Sequence, residues 1–163
     1  MKFARGLAVA IVLLFSVFAC GQASRPVDPA KITKLVSLLQ ENHYDYHTTR
    51  SPSVFTIHFV GEHIKDIKLI LAIGDDPDAD LIVFVTVTEK RRMPVTTDFM
   101  RLLLEQNHVM DQTKIGYDKD GDLEVRIDGS MRLADATYLQ HIIEQVKNVS
   151  DELYGMILPS LMN

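Results

Sequence analysis

Residues 54–87 read VFTIHFVGEHIKDIKLILAIGDDPDADLIVFVTV, and this stretch decides the fold. Phe55, Ile57 and Phe59 alternate with Thr56 and His58, the period-two pattern of a strand with one buried face. Ile67 to Ile73 and Leu81 to Val87 are more continuously apolar and rich in β-branched side chains. Between these two runs lies Gly74-Asp75-Asp76-Pro77-Asp78-Ala79-Asp80, turn chemistry that no strand interior holds. The connections are too short for the helical crossover that parallel pairing needs, so the three runs are expected to form an antiparallel meander.

Outward from the meander the hydrophobic period changes to that of helices. Upstream, Asp28-Pro29 offers a capping residue followed by proline where no amide is needed, and Ile32, Leu35, Val36 and Leu39 recur at helical spacing up to Asn42. Downstream of Met93-Pro94, Thr96 or Thr97 can cap a helix carrying Phe99, Met100, Leu102 and Leu103 that ends near Asn107. Thr113 to Tyr117 and Leu123 to Ile127 then read as a hairpin across Asp118-Lys119-Asp120-Gly121-Asp122. A last helix, about 135 to 158, carries Leu139, Ile142, Ile143, Val146, Val149, Leu153 and Ile157, with Pro159 expected to stop it. The expected fold class is α+β: an antiparallel sheet of about five strands with helices at both ends and in the middle, covering one sheet face. The second and third runs are apolar on both sides. Their other face is therefore expected to meet a partner, a second copy or a ligand.

The N-terminus says where the protein goes. Lys2 and Arg5 precede a 14-residue apolar run, Gly6 to Ala19, with no acidic residue. That is the pattern of a signal peptide, residues 1–19, and it is too short to span a bilayer comfortably. Val17-Phe18-Ala19-Cys20-Gly21 resembles the lipobox of bacterial lipoproteins. The resemblance implies that Cys20 is lipidated and becomes the mature N-terminus, with residues 20–28 as anchor cysteine and tether and 29–163 as a single domain. Cys20 is the only cysteine of the 163 residues, and it stands where lipidation needs one. An ordinary cut after Ala23, leaving a soluble secreted or periplasmic protein, is the alternative. The expected location is the bacterial cell envelope, anchored to the membrane through Cys20. Loss of Lys2 and Arg5 takes the formal net charge from −5 to −7, so no nucleic-acid partner is expected.

Helix, three strands, central helix, acidic glycine-containing hairpin and long closing helix together resemble the YbjN-like group, itself similar in fold to the type III secretion chaperones. The resemblance covers roughly residues 29–158 and includes Ile115-Gly116-Tyr117-Asp118 leading into Leu123-Glu124-Val125. It implies a non-enzymatic protein that dimerises and holds other polypeptides on exposed apolar surface. Secretion chaperones are cytosolic whereas this chain carries an export signal, so their role in effector delivery does not transfer.

No catalytic constellation is legible. A Gly-x-Ser-x-Gly elbow and phosphate-binding glycine loops are absent, and Cys20 lies in the export region. Asp118, Asp120, Asp122 and Glu124 suggest a calcium loop, but glycine stands fourth instead of sixth and position twelve is Gly129. A solvated turn accounts for them. His43 and His47 stand four apart yet fall after the helix end, and the six histidines are best explained as scattered surface residues. No catalytic residue, metal site or cofactor is expected. Phe99, Leu102 and Leu103 on the central helix, with the open sheet face, are the expected surface for self-association into a homodimer or for an unknown protein. Ordinary core is the alternative for each of the three residues singly. The rival function is an envelope lipoprotein holding a small apolar ligand between sheet and last helix.

Overall fold

The computed structural model describes residues 27–92 and 96–161, so the export segment and Cys20 lie outside the described part. The elements are α1 (Pro29–Glu41), β1 (Tyr46–Thr48), β2 (Val54–Phe59), β3 (Ile67–Ile73), β4 (Leu81–Thr88), a short 3-10 turn (Lys90–Arg92), α2 (Thr97–Val109), β5 (Lys114–Tyr117), β6 (Leu123–Gly129) and α3 (Ala136–Leu161). The strands form one sheet in the order β1-β2-β3-β4-β6-β5, and every neighbouring pair is antiparallel. The α+β architecture is the expected one.

Two details differ from expectation. The sheet has six strands instead of about five, because Tyr46–Thr48 pairs with β2 through Thr48 opposite Phe55. Three residues are too few to show a period, so this edge strand exists by virtue of its partner. Nor does Pro159 stop α3, which continues to Leu161. In the last turn a proline removes only one hydrogen bond from a ladder that is ending anyway.

Alternation along the strands separates two faces. On one, Tyr46, Ile57, Leu69, Val85, Val125 and Ile115 form a row across all six strands, with Phe55, Leu71, Val83 and Ile127 beside it. This face packs on Leu35 and Leu39 of α1 and on Leu139, Ile142, Ile143, Val146, Leu153 and Ile157 of α3, all fully buried. Burying a side chain of this size stabilises the fold by about 1.5–3 kcal/mol.

Polar fastenings fix the helices and loops over that core. Asp28 and Thr96 cap α1 and α2, accepting from Ala30 N–H (2.9 Å) and Phe99 N–H (3.2 Å). The Asn42 side-chain amide donates to Leu38 and Ala136 carbonyls, tying α1 to α3. Asp80 is buried, and it accepts from Lys31 Nζ and Met131 N–H, both at 2.6 Å. Asp151 of α3 accepts the N–H groups of Glu62 (2.7 Å), His63 (3.0 Å) and Ile64 (2.7 Å), clamping the β2–β3 loop onto the helix. Such close contact favours glycine at position 61, where a Cβ would collide with the hydrogen-bonded Asp151 carboxylate, while one at Gly155 would displace the exposed His63 ring.

Candidate functional site

Two surfaces stand out. The first is the sheet face turned away from α1 and α3. Its central row runs His47, Thr56, Ile70, Phe84, Arg126 and Lys114, and a second row runs Val54, Ala72, Ile82 and Asp128. Ile70, Ala72, Ile82, Phe84 and Val54 are half-buried and give this face an apolar middle. The apolar second side read from the β3 and β4 sequences lies in register across the two strands, Ile70 opposite Phe84 and Ala72 opposite Ile82.

One border of that middle is charged. Arg126 donates to Asp128 at 2.6 Å, and Lys114 reaches the same carboxyl at 3.0 Å. Burial works against the Asp128 charge, but its contacts with Arg126 and Lys114 outweigh burial and hold its pKa below the ordinary carboxyl value. Glu124, next to Arg126, has its pKa raised because burial dominates. The opposite border carries His47, His58 and Lys68.

The second surface is α2 with the neighbouring β5. Phe99 and Leu103, two of the three residues singled out from the sequence, are 4% exposed and belong to the core; Leu102 is half-buried. The exposed apolar side chains of α2 lie beside them: Met100, Leu104 (67%) and Val109 (73%), with Tyr117 on β5. The Tyr117 hydroxyl donates to Met100 Sδ at 3.4 Å, which joins helix and strand into one patch. Burial raises the Tyr117 pKa. Helical spacing alone marks a stripe of apolar residues without saying which edge of it faces inward, which is why the exposed members were missed.

Asn107 holds α2 against the sheet edge. Its side-chain amide donates to the Ile115 carbonyl and its side-chain oxygen accepts the Ile115 N–H, both at 2.7 Å. The side chain thus takes the place of a neighbouring strand at the middle of β5.

The acidic loops are structural in their contacts. Asp118 accepts from its own turn at Asp120 and Asp122 N–H (2.9 Å each), Gly121 takes φ +86°, and Asp122 accepts from Lys90 N–H at 2.8 Å. His43 sits in a left-handed turn after α1 whereas His47 is in β1, so their spacing of four does not place them on one helix face. No cluster of three or more ligating side chains occurs among the described residues, and none of the described helices is long and apolar enough to cross a membrane. A depression of about 400 Å³ between α1 and the loop after β6 is lined by Ala30, Lys31, Lys34, Pro77, Asp80, Met131 and Arg132, so it does not lie between the sheet and the last helix, where an apolar ligand was expected.

No family model matches the chain, and no curated protein matches it. The fold is similar to that of the Yersinia pestis type III secretion chaperone SycH, solved in complex with a stable fragment of YscM2. The two share 12% identity at a TM-score of 0.50, over 74% of this chain and 96% of SycH. At that identity the likeness is one of fold.

Proposed function

We propose that this protein is a chaperone-like binding module, not an enzyme, exported and held at the membrane through lipidated Cys20. The observation that carries it is the exposed apolar patch of Met100, Leu104 and Tyr117, on a fold similar to that of a secretion chaperone. The patch suits a second copy of the chain. Arg101 and Glu105 are exposed and flank Leu104 with opposite charges, so an antiparallel two-fold contact centred between them sets Arg101 of one copy beside Glu105 of the other. The apolar middle of the open sheet face then remains for another polypeptide.

Sedimentation of the purified mature protein tests the self-association. The expected result is a dimer that Leu104→Glu converts to a folded monomer; a wild-type monomer at high concentration overturns it. Anchoring has a separate test. Cys20→Ser should abolish acyl labelling and release the protein from membranes, and persistence of both overturns lipidation.

A further inference from the structure

We propose that His47 and His58 form a binding site for a divalent transition-metal ion, Zn²⁺ or Cu²⁺, at the corner of the open sheet face, with Asp66 as the residue that positions His58. His47 pairs with Thr56 across β1 and β2, which makes His58 its diagonal neighbour on the same face. The two rings are 6.3 Å apart between centroids and inclined at 60°. Two imidazoles sharing one ion at ~2.0 Å per nitrogen have ring centres roughly 5 Å apart, so a rotation of exposed side chains brings the pair into place. The backbone need not move.

The Asp66 contact makes the pair more than a chance neighbourhood. His58 Nδ1 is 2.7 Å from Asp66 Oδ1. Facing a carboxylate, Nδ1 carries the proton and donates, which leaves the Nε2 lone pair free on the far side of the ring. A carboxylate holding one imidazole nitrogen so that the other can ligate is the usual outer partner of a metal-bound histidine. The site supplies two protein ligands and leaves the other positions to solvent, and its imidazole donors suit Zn²⁺ and Cu²⁺. Lys68, directly opposite His58, opposes a cation there.

The test is a Zn²⁺ titration of the purified protein carrying Cys20→Ser, which removes the competing thiol, followed by the imidazole signals of all six histidines. His47 and His58 should shift together and saturate at one Zn²⁺ per chain, with the His58 Nδ1–H tautomer already present before metal is added. His47→Ala and His58→Ala should each abolish the shift at the partner ring. Asp66→Asn should weaken binding about 10-fold or more and mix the His58 tautomers, with Asp66→Glu restoring both, while Lys68→Ala should strengthen binding. Cu²⁺ should give a spectrum with coupling to two imidazole nitrogens. Unshifted His47 and His58 signals at millimolar Zn²⁺, or equal binding by the alanine variants, overturn the proposal. Unchanged affinity and tautomer in Asp66→Asn overturn the role given to Asp66.

Discussion

The two faces of the sheet are made by the same strands and differ by one residue in register. On the covered face Leu69, Leu71, Val83 and Val125 are completely or almost completely buried. On the open face their chain neighbours Ile70, Ala72, Ile82 and Phe84 are only half-buried, bordered by Arg126 with its carboxylates on one side and histidines on the other. One face specifies the fold and tolerates little change, while the other keeps apolar area and charge in hand for contact. The difference predicts unequal responses to equivalent substitutions.

The largest expected effect is on the covered face. Leu71→Ala should cost about 2–5 kcal/mol in chemical denaturation, since its site cannot collapse around the cavity. Next comes the clamp that keeps the β2–β3 loop on the helical layer. Asp151→Ala leaves three loop N–H groups without their acceptor and should cost about 1–2 kcal/mol near neutral pH. Burial opposes the Asp151 charge, but the N–H donors of Ile64, Glu62 and His63 outweigh it and hold the pKa below 3.8. With a depressed folded pKa the contribution is complete above the ordinary carboxyl value and lost as pH falls through the folded one. Wild type and variant should therefore converge in stability in acid, and a gap that is unchanged with pH would show the clamp to be uncharged. On the open face Ile82→Ala should cost only about 1 kcal/mol. A loss as large as that of Leu71→Ala would erase the distinction between the faces. Leu104→Glu should change monomer stability least, within about 0.5 kcal/mol, and act on sedimentation alone.

The meander was legible because β2, β3 and β4 each carry at least six residues of clear patterning bounded by turn chemistry. Capping by Asp28 and Thr96, the Asp-Gly hairpin and the α3 stripe were legible for the same local reasons. β1 was not, since Tyr46–Thr48 owes its conformation to pairing across the chain. The site was less readable than the fold. Which side of α2 faces inward depends on where β5 lies, and β5 is carried past β6 to the sheet edge. His58 and Asp66 meet across a hairpin, and His47 joins them only through the edge strand that periodicity could not reveal.

Asn107 has a consequence for how large any assembly becomes. With its side chain seated on Ile115, the sheet can be lengthened only beyond β1. Strand pairing at that edge joins two molecules at most, and any further growth has to use a different surface such as the one on α2.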